Sequence, residues 1–212
     1  TIIHFIQSTS GIYEMASRQV SLKRDFGWHE LQDLQPIIAA SNSWKDFPAK
    51  GLELVGAETK PGDEEQRVDL LYLRDDGGLF PCELKIGGES KDTHGQLIRY
   101  MADIAFQTVN IPYIRKLRAT IEKWDTGLGV SKEKFEGFLE SNRIDDKFLR
   151  LLPKTGLIID EGFPSQLLKA VRFLNADCGF SIRLIELQTF VDENWDASQD
   201  DYLARIDFVE IQ

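Results

Sequence analysis

The sequence predicts an α/β fold, a mixed central β-sheet flanked by helices, and three observations carry that prediction. Two short strands around a Gly-rich turn, Arg67–Leu73 and Leu79–Ile86, lead through a Gly/Ser loop into a segment of helical period, His94–Gln107. Further on, Thr155–Ile159, Ser165–Leu174 and Phe180–Val191 read as strand, helix and strand, an order that suits parallel pairing with a right-handed crossover. The 212 residues are 42% hydrophobic and 28% charged, which supports one sizeable core and is not a disordered composition. A single domain over 1–212 is expected, with its core at 28–107 and 155–191 and helices at 113–152 between them.

The elements follow in order. Ile2–Ile6 is an apolar run that predicts an edge strand, with Tyr13–Leu22 as its partner. Residues 28–40, WHELQDLQPIIAA, predict a helix because Trp28, Leu31, Leu34, Ile37 and Ile38 recur at helical spacing; Pro36 inside it predicts a kink or restart. Leu52–Glu58 alternates as a strand, and Pro61-Gly62 punctuates the loop after it. The hairpin turn is drawn from Asp75-Asp76-Gly77-Gly78. Residues 113–124 predict a basic amphipathic helix, and Ser131–Leu152 one or two more helices with Ser131 as N-cap. Ser165 is the expected N-cap of the late helix, and Ile206–Ile211 the expected closing edge strand.

Charge and cysteine usage bound the function. The net charge is −10 and the pI near 4.8, which argues against unspecific binding to a polyanion, because phosphate contacts need cations. The charge is uneven: residues 111–154 hold ten Lys/Arg against seven Asp/Glu, whereas residues 192–212 hold one Arg against seven acids. Cys82 and Cys178, 96 positions apart among apolar neighbours, read as reduced core thiols of a cytoplasmic protein rather than a disulfide. The start, TIIHFIQSTSGIYEMASRQ, lacks the layout of a secretory signal, and no apolar run approaches the ~20 residues that span a bilayer. No membrane association is expected.

Chemistry concentrates in the hairpin. Asp69 interrupts Val68-Leu70-Leu71, and Glu83 and Lys85 interrupt Cys82-Leu84-Ile86. Glu83 and Lys85, two apart on a strand, leave the same face. With a three-residue loop, 75–77, Asp69 lies directly opposite Glu83; a four-residue loop puts it opposite Leu84 instead. The odd loop also gives Val68, Leu70 and Tyr72 a common face with Cys82, Leu84 and Ile86, and the pattern favours it. Two carboxylates so close repel, and a hard dication such as Mg²⁺ relieves them through oxygen ligands. An adjacent lysine then positions or deprotonates a water, or stabilises charge on a phosphate. Gln96 and Tyr100 meet one turn apart on the following helix. The plainer alternative is an exposed strand face with a weak Glu83–Lys85 ion pair and a solvated Asp69.

The order strand–Asp–hairpin–ELK–loop–helix, with QLIRY in the helix, resembles the PD-(D/E)XK nuclease superfamily, and most of all its NucS- and RecB-type endonuclease-like branch. Members of that branch carry similar R-[IV]-D-L-L … ELK … Q-x-x-x-Y runs. HELQDLQPII followed by LELVGAE is similar to its upstream region, and LIIDEGF through IRLIELQTF more loosely resembles its closing strand–helix–strand. The resemblance, covering about residues 28–107, implies a restriction-endonuclease-like core with a helical insertion. It implies a metal-dependent DNA endonuclease or exonuclease hydrolysing phosphodiester bonds. Asp69 and Glu83 would hold Mg²⁺ or Mn²⁺, Lys85 would be the catalytic lysine, Gln96 and Tyr100 supporting residues, and Glu30 or Glu58 an extra acid. Val68 stands where the motif has proline. Pro81, two before Glu83, removes a ladder donor, so that strand is expected to be unpaired there, bulged or at an edge.

Other motifs add little. His94 precedes the helix as an exposed or capping residue, and Cys82 points away from Glu83 and Lys85. There is no P-loop, G-x-G-x-x-G or G-x-S-x-G. For DNA, the basic helix with Arg115, Lys116, Arg118 and Lys123 is the candidate backbone contact. Double-strand cuts would need a pair of sites, which a homodimer would supply; the sequence does not give the oligomeric state. The competing reading is a nuclease-fold module with weak or no catalysis that binds nucleic acid or a protein partner.

Overall fold

The computed structural model describes residues 2–7, 17–40, 52–59, 67–75, 78–88, 92–108, 132–143, 150–151, 155–192 and 201–211. Nine strands join in one mixed sheet: β1 (Ile2–Gln7), β2 (Ser17–Val20), β3 (Glu53–Thr59), β4 (Val68–Leu73), β5 (Gly78–Leu84), β6 (Arg150–Leu151), β7 (Thr155–Asp160), β8 (Ser181–Asp192) and β9 (Asp201–Ile211). The path is β1-β9-β8-β7-β5-β4-β3, with β2 beside β8 and β6 beside β5. The helices are α1 (Leu22–Phe26), a π-helical turn (Glu30–Leu34) running into α2 (Gln35–Ala40), α3 (Thr93–Thr108), α4 (Lys132–Ser141) and α5 (Ser165–Asp177). The α/β class and mixed sheet are therefore as the sequence predicts. No helix among the described residues is long and apolar enough to cross a membrane.

Strands β4 and β5 are interior and nearly all their residues are buried, because the sheet is covered on both faces. β7 and β8 pair in parallel across α5, and β5 pairs in parallel with β7. Leu97, Met101, Ile158, Leu184 and Val171 belong to one buried cluster. Gly156 marks how closely α3 lies on β7: a Cβ there would sit 2.5 Å from Met101 Cε and 2.9 Å from Leu97 Cδ2.

Several elements differ from expectation. Among the described residues Ile2–Gln7 is an edge strand, but its partner is β9, in parallel, and not the expected Tyr13–Leu22; within the described part of that segment Ser17–Val20 is strand, and it pairs with β8. The cause of the early stop is Ser21. Its Oγ accepts the Arg24 N–H at 3.2 Å and Asp25 Oδ2 accepts its own N–H at 2.8 Å, a reciprocal cap that starts α1. β9 begins earlier than expected: Asp201–Ile206 pairs with β1 and Ala204–Ile211 with β8, so among the described residues 207–211 pair with β8 alone, as an edge. Residues 150–151, expected in a helix, form β6. The cap position of α5 is Pro164, with Ser165 the first helical residue. Cys82 and Cys178 form no disulfide. The predicted helix 113–124 lies outside the described residues, and Ser131 with it.

Pro36 acts as its chemistry dictates. Lacking an N–H, it cannot continue a regular ladder, and the chain enters as a π-turn in which Leu34 N–H donates to His29 O at 3.2 Å and Gln35 N–H to Glu30 O, before α2 resumes the α-form. Leu34 and Ile38 are buried by this turn, but Leu31, expected on the apolar stripe, is 51% exposed.

The register of the hairpin settles the loop. Leu70 pairs with Cys82, Leu71 with Pro81, Tyr72 with Phe80 and Leu73 with Leu79, so the loop is the odd one, 75–77. Pro81 is not at an edge. Arg74 N–H donates to Gly78 O, so 74/78, 72/80 and 70/82 are the hydrogen-bonded positions and the nitrogen of Pro81 turns away from β4. On that side β6 pairs at Gly78 and Leu79 and β7 takes over at Cys82, so the missing donor falls at the join between two partners. Gly156→Val should lower stability by about 1–3 kcal/mol through overpacking against Leu97 and Met101. Chemical denaturation checks this, and an unchanged midpoint would contradict the packing described.

Candidate active site

Continuing the hairpin register by one residue sets Asp69 opposite Glu83, at a non-hydrogen-bonded position where cross-strand side chains stand closest. The ladder is not continued there by backbone. Leu84 N–H instead donates to Asp69 Oδ2 at 2.7 Å, so the carboxylate of β4 is fixed by the main chain of β5. Glu83 is 1% exposed. Lys85, just beyond the strand, reaches back with Nζ 2.6 Å from Glu83 Oε1 and 3.2 Å from Glu30 Oε1. Glu30 opens the π-turn, whose start is held by Asp33 Oδ2 accepting the His29 N–H at 2.7 Å.

The electrostatics follow from burial. Desolvation, with repulsion from Glu83, pushes the Asp69 carboxyl well above the ordinary carboxylate range, although Lys85 and the Leu84 N–H oppose it. Desolvation raises Glu83 as well, against the Lys85 ammonium. The pair behaves as one unit that takes up a proton more readily than free carboxylates. Burial works against the charge on Lys85, but Glu83, Asp69 and Glu30 outweigh it and hold the ammonium above its usual range. Tyr100 on α3 is 4% exposed, and burial with the field of Glu83 and Asp69 raises its hydroxyl. Cys82 is buried on the other face of β5, with its thiol pushed up by burial, so it is no nucleophile.

Of the residues the sequence singles out, Asp69, Glu83, Lys85 and Glu30 converge and Tyr100 borders them. Gln96 lies one turn before Tyr100, half-buried; its side chain makes no hydrogen bond to these groups among the described residues. His94 is within the first turn of α3 and not before it, half-buried, with a buried Nδ1 that has no hydrogen-bond partner. Glu58 lies beside Asp69, between the register pairs Ala57–Leu70 and Thr59–Val68 of β3 and β4. Its Oε1 accepts from Gln35 Nε2 at 3.0 Å and its Oε2 lies 3.6 Å from Arg67. Its φ of +49° is a left-handed backbone that a non-glycine residue adopts at a cost, and such strain clusters at functional sites. Arg115, Lys116, Arg118 and Lys123 lie outside the described residues.

Gln35 is the residue the sequence reading misses. It is 4% exposed, and its Nε2 donates both to Glu58 Oε1 and, at 2.9 Å, to the backbone oxygen of Asp69. One buried amide thus ties the restart of α2 to β3 and to the strand that carries Asp69. The signal available was its place beside Pro36, where a π-turn ends.

No protein-family model, no curated protein and no solved structure matches this chain. What the site can hold is therefore judged from its own atoms. Glu83 Oε2 is buried with no hydrogen-bond partner, and Asp69 lies across from it. Such a paired carboxylate set suits a hard dication that keeps water in the rest of its shell. Among the described residues no group of three or more His, Cys, Asp or Glu converges at metal-binding geometry, so the protein's share would be these two carboxylates.

The raised acids make stability fall with rising pH. The folded state retains protons that the unfolded chain has released, so the pair's contribution to stability is fully present below the ordinary carboxylate range and is lost as pH rises from there through the raised values. Asp69→Asn keeps the Leu84 N–H acceptor and removes one charge. Thermal melts from pH 5 to pH 8 should show a shallower decline for this variant, with a higher melting temperature than wild type at pH 8; a decline equal to wild type would contradict the assignment.

Proposed function

We propose that this protein is a metal-dependent nuclease that hydrolyses phosphodiester bonds in DNA. The observation that carries the reading is the convergence of Asp69, Glu83 and Lys85, with Glu83 and Lys85 only 2.6 Å apart and a buried oxygen of Glu83 left without a partner. Asp69 and Glu83 would hold Mg²⁺ or Mn²⁺, which when bound polarises a phosphoryl oxygen and lowers the pKa of a ligated water.

The chain's own residues have distinct tasks under this reading. With three carboxylates around it the Lys85 ammonium is favoured, and in that form it positions a water or meets charge developing on the phosphate. Glu30, the second carboxylate on Lys85, keeps the ammonium from collapsing wholly onto the metal ligand. Tyr100 stays neutral and offers a hydroxyl donor at the edge of the site. Glu58 and Gln35 act through the backbone of Asp69 rather than on substrate.

A second reading is a nuclease-fold module that binds nucleic acid or a protein partner with weak or no chemistry. The observations that favour it are the net charge of −10 and a lysine already engaged by two carboxylates. The test is cleavage of single-stranded, duplex and branched DNA with Mg²⁺ or Mn²⁺. The nuclease reading expects wild-type cleavage, and a loss of roughly 10²–10⁴-fold in Asp69→Ala, Glu83→Ala and Lys85→Ala with the fold intact by circular dichroism. Binding without cleavage, unchanged in those variants, would establish the second reading instead.

A further inference from the structure

Asp160 ends β7, is 1% exposed, and has no part in the chemistry above. Its Oδ1 accepts two backbone N–H groups, from Gly88 at 3.0 Å and Glu161 at 2.7 Å, while Oδ2 is buried with no hydrogen-bond partner. Burial raises this carboxyl to about 6 even though both amides favour its charged form. Such an acid is costly to keep, which draws attention to what it holds.

It holds the segment that leaves Lys85. Lys85 N–H donates to Ile159 O at 2.8 Å, and the parallel register of β5 and β7, continued by one residue, sets Asp160 beside Lys85. Asp160 shares its face of β7 with Ile158, the partner of Glu83. Beyond Lys85 the chain turns sharply: Gly87 has φ +95° and Gly88 φ +67°. A Cβ on Gly88 would lie 3.3 Å from Gly162 O, so this turn is pressed against the residues just after Asp160. The strand end is therefore gripped twice, by Ile159 O at Lys85 and by Asp160 at Gly88.

The neighbouring acid grips a third segment. Glu161 accepts from Ser21 Oγ at 3.2 Å, from Leu22 N–H, and from Lys23 N–H at 3.3 Å, fixing the start of α1. That helix leads through Gly27 to Glu30, the other carboxylate on Lys85. One turn, Asp160-Glu161, is thus bonded to the backbone on both sides of the lysine.

We infer that Asp160 is a positioning residue of this site, which holds the Gly88 backbone so that Lys85 reaches Glu83 and Glu30 together. The inference rests on Lys85 being the working cation of the proposed nuclease, but the contact that it explains exists whether or not DNA is cut. An acceptor at Oδ1 is the essential feature, since both bonds are donated by amides. Asn at this position keeps that acceptor; Ala does not.

The experiment compares wild type, Asp160→Asn and Asp160→Ala in the intact chain, free of metal, by ¹⁵N-detected NMR of the lysine side chains. The buried pairing of Lys85 gives its ammonium a slowly exchanging signal, assigned by its loss in Lys85→Arg. Asp160→Ala should speed that exchange by about tenfold or more, while Asp160→Asn keeps it near the wild-type rate. In a cleavage assay Asp160→Ala should lower kcat with little change in KM, and Asp160→Asn should restore it. A folded Asp160→Ala protein with an unchanged Lys85 signal would overturn the inference, and so would an Asp160→Asn protein that behaves like Asp160→Ala. Should Asp160→Ala not fold, Asp160→Ser, too short to reach both amides, gives the same comparison. An inactive wild type would count against the nuclease reading alone, because the NMR arm decides the positioning role without turnover.

Discussion

Asp69 and Glu83 face each other from adjacent interior strands, and neither can carry charge there without something positive or donating beside it. Much of the local structure answers that constraint. The Leu84 amide leaves the ladder to bond Asp69, Lys85 folds back onto Glu83, and Glu30 comes from the π-turn to share the ammonium. Even so one oxygen of Glu83 is buried without a partner. A fold that only needed stability would be better served by apolar residues at these positions, since replacing buried ions with packed hydrophobes is often neutral or stabilising. The proposed metal would give these facing carboxylates, and the unpartnered oxygen, a role.

Position within the sheet fits that explanation. β5 and β7 run parallel, and Lys85 and Asp160 stand where they end. In α/β sheets the crevice outside the carboxyl ends of parallel strands is where ligands bind, because loops there are free to carry polar groups while strands below hold them rigidly. The antiparallel β4 brings Asp69 to the same level from the opposite direction. Beside it, Gln35 bonds the backbone oxygen of Asp69 and is itself held by the strained Glu58.

The centre of this arrangement was legible in the sequence because strands have a strict period of two. Once Asp69, Glu83 and Lys85 interrupt apolar runs, only the parity of the loop decides whether they meet, and the core pattern of Val68, Leu70 and Tyr72 selects the odd loop. The long helix over Thr93–Thr108 and the strand–helix–strand unit were legible for the same reason, strong periodicity over many residues. What escaped was long-range partnering. Nothing local in Ile2–Gln7 names β9 as its neighbour, and which of the alternatives open to Pro81 is realised depends on β6 and β7 meeting beside it, far along the chain. Gln35 and Asp160 were hidden because their roles are bonds to backbone, and a single polar residue beside apolar ones does not announce which amide it will meet.

The most direct measurement of the central claim is calorimetric titration of Mn²⁺ into the protein near neutral pH, in two buffers that differ in ionisation enthalpy. The account predicts saturable binding that releases protons held by the Asp69–Glu83 pair, and loss of that binding in Glu83→Ala. Absence of binding in the wild type, or binding that persists unchanged in Glu83→Ala, would contradict it.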